Sequence, residues 1–293
     1  MERQTKYVAA VCQFTPSYCD LEASLERMCH RVEEVMRQEK DTRLVVFPET
    51  ATMGLPGLPK SHDQHWKLEA YLEKAESVPG PTSIALGRMA KAYDTYIATG
   101  FIEADPVLRG VIYNSSLLIG PNGEIAAVHR KVQSGGAFRC GSSIEIHDTA
   151  IGKIGLSICY DLWFPEFLRI QTLQGCEVHV NMTGNQPVFA IGSTHVPIVR
   201  AVESGIFVIS ANLFADHRSQ GGRQYMGASS IISPFGKVIA MAGQENEETI
   251  FGEIDLCEIL RARALVSPVK DIRADMYEVK YYGANDLTGG PVS

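Results

Sequence analysis

Short apolar runs alternate with helically spaced stripes twice over along this chain, and each round closes with a hairpin. Val8 to Phe14 is the first run, and Leu21 to Gln38 follows with Leu21, Leu25, Met28, Val32 and Val35 at helical spacing. A strand at Leu44 to Phe47, a helix at Pro81 to Ala92 and a strand at Thr95 to Glu103 repeat the unit. Tyr113 to Ile119 and Ile125 to Lys131, joined through Pro121-Asn122-Gly123, read as a hairpin. The second half runs from an apolar strand ending at Cys159 through a helix at Pro165 to Leu173, a strand at Val178 to Asn181, a helix at Val196 to Ser204 and a strand at Ile206 to Ala211. A hairpin from Gly227 to Ala240, a strand at Thr249 to Ile254 and a short helix at Asp255 to Arg263 complete it. Two halves of this kind suit two sheets packed face to face with helices outside. No linker-like segment divides them, so one domain is expected over residues 1–266, with 267–293 a tail of little periodicity carrying Tyr281 and Tyr282. Thr50 to Gly80 reads as a long turn-rich loop, a kind of segment that usually carries function.

Composition narrows the partners. A chain of 293 residues with 45% hydrophobic content can bury a large core, and a net charge of -7 with pI near 5.7 argues against nucleic acid, whose phosphates call for a basic face. The start, Met1 to Lys6, has no apolar signal core, and no apolar run approaches the ~18 residues of a membrane span, so the expected location is the cytoplasm. Seven cysteines without a signal fit free thiols. Cys19, Cys29, His30, Cys140 and His147 lack the paired spacing of a zinc site, and neither metal nor cofactor is expected. Asn114 and Asn181 head glycosylation-type triplets, and both read as ordinary strand-edge polar residues.

The chemistry concentrates where strands end. Gly155 to Glu166 is an apolar strand running into Cys159 and then a turn, with Pro165 starting a helix. Such a thiol is most often a small core residue, but here two charged groups also close strands: Glu49 after Leu44 to Pro48, and Lys131 after Ile125 to Arg130. Covalent chemistry by a thiol at an electrophilic carbon needs a strong nucleophile, a proton shuttle and a cradle for any oxyanion that develops. Cys159 supplies the first, Glu49 can carry the proton, and Lys131 can favour the thiolate and donate to the developing oxyanion, with the backbone amide of Tyr160 as a second donor. Cys12, Cys176 and Cys257, in or beside apolar runs, are expected to be inert.

Glu, Lys and Cys in these three segments and in this order resemble the nitrilase superfamily of carbon-nitrogen hydrolases. The resemblance runs from Ala10-Val11-Cys12-Gln13 to Phe251-Gly252-Glu253-Ile254-Asp255. It implies a single-domain, four-layer α-β-β-α sandwich, no cofactor, and Glu49 as general base, Lys131 as oxyanion stabiliser and Cys159 as nucleophile. Asp161, Pro165 and Glu166 match the segment after the cysteine, and the two acids are expected to cap the following helix and orient neighbours. Arg200, Ala201 and Glu203 match a helix motif in which an internal ion pair is expected, and Gly227 to Gly236 matches a late hairpin. Tails like 267–293 pack on partner subunits in relatives, which implies a homo-oligomer, a dimer or a multiple of dimers.

One departure stands out. Many relatives carry a second glutamate that orients substrate and the catalytic lysine, but here Lys131 to Gly141 is short, Ser134 falls near that glutamate's place and Cys140 replaces the usual proline. Either another carboxylate fills the gap or the site is roomier; the second is expected. Ser134, Trp163 and Asn185 are the expected substrate contacts, among loops at Thr50 to Gly80 and Asn181 to Val196. The wording after Cys159 resembles amidase and carbamoylase branches, so the expected reaction is hydrolysis of a non-peptide carbon-nitrogen bond in a small amide or carbamoyl compound through a thioester. A nitrilase, an acyltransferase and a binding protein that kept the fold are the alternatives.

Overall fold

A computed structural model describes residues 3–55, 65–215, 224–265, 268–273 and 275–276. In the first half, β1 (Lys6–Gln13), α1 (Leu21–Gln38), β2 (Thr42–Val46), α2 (His65–Lys74), α3 (Pro81–Tyr93), β3 (Tyr96–Ala104), β4 (Ile112–Ile119) and β5 (Ile125–Arg130) follow in order. The second half holds β6 (Ile146–Thr149), β7 (Gly152–Ile158), α4 (Pro165–Leu173), β8 (Val178–Thr183), α5 (Ile191–Thr194), α6 (Val196–Ser204), β9 (Phe207–Asn212) and β10 (Phe214–Ala215). Then come β11 (Tyr225–Met226), β12 (Ser230–Ile232), β13 (Val238–Met241), β14 (Glu248–Asp255) and α7 (Cys257–Leu265). Twelve of these strands form two six-stranded sheets, ordered β14-β1-β2-β3-β4-β5 and β13-β12-β9-β8-β7-β6, and β10 and β11 pair with each other as a two-stranded ribbon.

Period-two alternation sends successive side chains to opposite faces and so builds the layers. From β1, Tyr7, Ala9 and Val11 join Leu44, Val46, Leu156, Val180 and Ile209 in the core between the sheets. Ala10, Cys12 and Phe14 turn the other way, onto Leu25, Met28 and Val32 of α1 and Leu86 of α3. On the far side Val208 and Ile232 meet Leu168 of α4 and Ala201 of α6. The result is helix, sheet, sheet, helix. The β14-β1 pairing ties the last strand among the described residues to the first, antiparallel from Lys6↔Asp255 to Gln13↔Glu248.

Helix ends follow their local chemistry. Asp20 caps α1 by accepting from Ala23 N at 3.0 Å, and α3 starts at Pro81, where a fixed φ and a missing N–H cost nothing. Two elements differ from the expected pattern. The loop at Thr50 to Gly80 contains α2, whose fully buried Tyr71 donates to the carbonyl of Gly54 at 3.3 Å. From Glu69 to Lys74 Tyr71 is the one buried side chain, too little to print a stripe in the sequence. The four-residue β6 is an edge strand of half-buried and exposed side chains, so no apolar alternation marks it. Residues 56–64 of the expected loop and 277–293 of the expected tail lie outside the described residues. No helix among the described residues is long and apolar enough to cross a membrane.

Candidate active site

Three strand ends converge. Beyond β2 the parallel pairing with β3 continues, Phe47 N donating to Ala98 O at 2.8 Å and Gly100 N to Pro48 O at 3.1 Å. The two backbones run so close that a Cβ on Gly100 would stand 2.5 Å from Thr50 N and 2.7 Å from Glu49 Cα. Only glycine fits there, and the close approach fixes where Glu49 starts. Thr50, with φ of 45°, turns the chain away directly afterwards. Lys131 leaves β5 with its backbone held on both sides, its N–H donating to Asn114 O at 2.9 Å and its carbonyl accepting from Gly141 N at 2.7 Å.

The side chains then meet. Lys131 Nζ donates to Glu49 Oε1 at 2.7 Å, and Asn114 Nδ2 donates to the same oxygen at 2.7 Å. Glu49 is 1% and Lys131 11% exposed, so the ion pair is nearly closed to water. Glu49 Oε2 has no hydrogen-bond partner among the described residues. Cys159 sits at the exit of β7 in the left-handed region, φ 48°, where a residue with a Cβ is strained by about 1–3 kcal/mol. Its thiol points at Asn185 Oδ1, 3.8 Å away, and the Thr183 hydroxyl and Gly184 amide also face the sulfur.

The electrostatics set the resting protonation states. Burial pushes the Cys159 thiol up, the charge of Glu49 pushes it further, and Lys131, Thr183 and Gly184 pull it down only in part, leaving it at about 11. Burial works against the charge of Lys131, but attraction to Glu49 and Cys159 and the hydrogen bond to Glu49 outweigh it and hold the ammonium above the usual lysine range. The site therefore rests as a neutral thiol beside a locked ammonium–carboxylate pair. Lys131 does not by itself make a standing thiolate.

Asp161 joins the Lys131 and Cys159 segments. Its carboxylate, fully buried, accepts from Gln133 N at 2.7 Å and Ile158 N at 3.1 Å, and lies 3.3 Å from His129 Nε2. Asp161 thus orients its neighbours as expected, but the capping part of the expectation is corrected: α4 is preceded by Phe164 and has no side-chain cap, because Asp161 points back to the strand end instead. Glu166, exposed in the first turn of α4, remains where it complements the helix dipole. Arg200 makes the expected ion pair with Glu203 at 3.0 Å, and it also donates to the carbonyls of Leu162 and Trp163, both at 2.8 Å, pinning the turn after Cys159.

The other expected contacts separate. Asn185 is beside the sulfur, held by its Nδ2 donating to Ser193 Oγ at 2.8 Å and by its backbone N–H donating to Asn212 Oδ1 at 2.8 Å. Tyr160 is the second residue of the 3-10 turn Cys159–Trp163, where N–H groups lack an acceptor earlier in the helix; its ring is half-exposed, 5.1 Å from Phe164 and 6.3 Å from Trp163. Trp163 packs on Gly192, where a Cβ would come 2.8 Å from the indole. Ser134 accepts from the Cys140 thiol through its carbonyl at 3.3 Å, and its hydroxyl bonds neither Lys131 nor Glu49. Among the described residues Glu49 is the one carboxylate in salt-bridge contact with Lys131.

Three expectations are corrected. Asn114 is 2% exposed and bonded to Glu49, and Asn181 is 1% exposed in central β8, between Ser157 Oγ at 2.9 Å and Ser210 Oγ at 3.3 Å; neither is a strand-edge residue. Cys12 and Cys176 are buried with thiols pushed up to about 12, mainly by burial, but Cys257 is exposed because α7 buries only Ile259 and Ala262. Of the residues missed in the sequence, Gly100 and Asn114 had only a small or polar residue inside an apolar strand to signal them.

The model of the carbon-nitrogen hydrolase family matches residues 8–264. The chain belongs to that family, within the nitrilase superfamily. This carbon-nitrogen hydrolase is 32% identical over 252 residues to a probable nitrilase, C965.09, of Schizosaccharomyces pombe, covering 84% of this chain and 88% of the relative. It is 28% identical over 271 residues to the omega-amidase NIT2 of Homo sapiens, covering 84% and 93%. Among solved structures, Saccharomyces cerevisiae Nit3, a member of branch 10 of the nitrilase superfamily, superposes with a TM-score of 0.79 at 28% identity, covering 90% of this chain and 95% of that one. The two-sheet sandwich is thus the nitrilase fold, as the sequence implied.

Proposed function

We propose that this carbon-nitrogen hydrolase cleaves a non-peptide bond in a small amide or carbamoyl compound through a thioester on Cys159. The observation that carries the reading is the convergence of the Cys159 thiol with a buried ammonium–carboxylate pair in which one oxygen of Glu49 is unengaged, and burial and the charge of Glu49 hold that thiol up, at about 11. At pH 7 only about one such thiol in ten thousand is ionised, so attack must be coupled to proton removal. Glu49 takes the proton as sulfur bonds to the carbonyl carbon. The oxygen that turns negative is met by Lys131 Nζ, which has three N–H donors and commits only one to Glu49, and by the Tyr160 amide. Collapse expels the amine with the proton from Glu49. Water, deprotonated by the same carboxylate, then releases the acid and restores the thiol.

The name of the human relative supports the amidase reading, and that of the fission-yeast relative favours nitrile hydrolysis as a second one. Exposed Val188, Phe189, Val199 and Val202 support assembly into a homo-oligomer, and seven free cysteines support a cytoplasmic setting. The test is a screen of small amides, carbamoyl compounds and nitriles for ammonia release, with mass spectrometry of enzyme quenched during turnover. An acyl adduct on the Cys159 peptide is expected; an adduct confined to another residue overturns the mechanism.

A further inference from the structure

Asn114 makes the two oxygens of Glu49 unequal. Oε1 accepts from both Lys131 Nζ and Asn114 Nδ2, each at 2.7 Å, and Oε2 accepts from nothing among the described residues. Gly184 tells which way the free oxygen faces: a Cβ there would lie 3.4 Å from Oε2, and its backbone amide faces the Cys159 sulfur. Oε2 and the thiol therefore share a neighbour.

The orientation of the Asn114 amide is decided by its partner. An ionised carboxylate only accepts, so the NH2 group must face it, and Asn114 Oδ1 is left buried with no hydrogen bond. Buried polar side-chain atoms are partnered as a rule, so the amide's engagement with Glu49 leaves its own oxygen unpartnered at a cost. Its backbone carbonyl meanwhile accepts from Lys131 N at 2.9 Å, so one residue grips the main chain of Lys131 and the side chain of Glu49 together.

The terminal torsion of a glutamate is soft. With Lys131 as its only donor, the carboxylate can rotate and present either oxygen to the ammonium, leaving the thiol opposite an engaged or misaimed acceptor. A second donor on Oε1 removes that freedom. We infer that Asn114 is a positioning residue which, by sharing Oε1 with Lys131, reserves Oε2 as the atom that takes the Cys159 proton. The inference rests on the reading of Glu49 as general base: the S–H bond breaks toward Oε2 as the S–C bond forms and the carbonyl electron pair moves to oxygen.

The experiment uses p-nitrophenyl acetate, whose burst of p-nitrophenolate reads acylation without depending on the natural substrate, with Cys159→Ala as the blank. A hydrogen bond to a charged group is worth enough to predict a burst rate about 10- to 100-fold lower in Asn114→Ala, with the apparent affinity unchanged. The acid limb of the rate profile should move to higher pH, because a carboxylate with one donor fewer holds its proton more tightly; a merely structural defect lowers the amplitude and leaves the limb in place. Asn114→Ser, too short to reach Oε1 but still polar, repeats the measurement should the alanine variant fail to fold. Glu49→Gln separates the two levels. If it keeps the burst rate, the base assignment falls. If it loses the burst while a folded Asn114 variant stays within twofold of wild type with an unmoved limb, the positioning inference alone is overturned.

Discussion

Replacing Glu49 by Gln should move two reactions of one thiol in opposite directions. Cys159 rests at about 11, raised first by burial and next by the charge of Glu49. Near pH 7 its thiolate is then about 1 part in 10⁴, which sets the largest advantage a coupled base can give over waiting for spontaneous ionisation. Part of the elevation disappears with the carboxylate itself, so the loss of acylation should fall within the ~10² to ~10⁴ typical of general-base catalysis. The residual rate should climb about tenfold per pH unit between 7 and 9, following the thiolate. Alkylation by iodoacetamide needs only the thiolate, and the variant has lost the negative charge that opposes it and kept Lys131, which favours it. Modification of the Cys159 peptide should therefore speed up severalfold at pH 7. Peptide mapping is needed, because exposed Cys140 and Cys257 will also react. If alkylation and hydrolysis fall together, the carboxylate is not what holds the thiol protonated, and the reasoning fails.

Gly100→Ala should reduce acylation out of proportion to its effect on stability, expected at about 1–3 kcal/mol for overpacking, because the added methyl meets the backbone of Glu49 and Thr50; unchanged turnover with a lowered Tm would contradict this. Cys159→Gly should be more stable to urea than Cys159→Ala by about 1 kcal/mol, since glycine relieves the left-handed backbone; equal midpoints would mean the turn stores no strain. His179, buried between Ser157 Oγ at 2.7 Å and Gln171 Oε1 at 2.8 Å, is lowered from 6.5 to about 3, chiefly by burial. The unfolded chain binds its proton below 6.5 and the folded one does not, so stability should drop by about 1.4 kcal/mol per pH unit from 6.5 down toward 3. In His179→Gln the difference between urea midpoints at pH 7.5 and pH 5 should shrink, and an unaltered difference would refute the assignment.

Glu49, Lys131 and Cys159 were legible because each ends an apolar run, and a change from apolar to charged at a strand end is a local signal. What they do to one another was not. The neutrality of the thiol depends on burial and on a carboxylate 110 positions earlier in the numbering, neither of which any short window contains. Asn114 looked like any polar residue in a strand until β3 and β4 set it against Glu49. Asp161 was misjudged for the opposite reason: its neighbours in sequence suggested a helix cap, but its carboxylate answers Gln133, which lies on the other sheet's chain segment. Helix α2 was hidden because Tyr71 alone is buried from Glu69 to Lys74, and strand β6 because it buries no side chain, so neither stretch offers a periodicity to detect.

The sandwich divides the chemistry between its two inner layers: Glu49 and Lys131 leave strands of one sheet, and Cys159 leaves a strand of the other. A nascent chain that has reached only β5 holds Glu49 and, just beyond, Lys131 but not Cys159, and the first sheet itself is complete only when β14 has been added. The three side chains thus meet only where the two sheets are docked, and the site is a property of neither half alone.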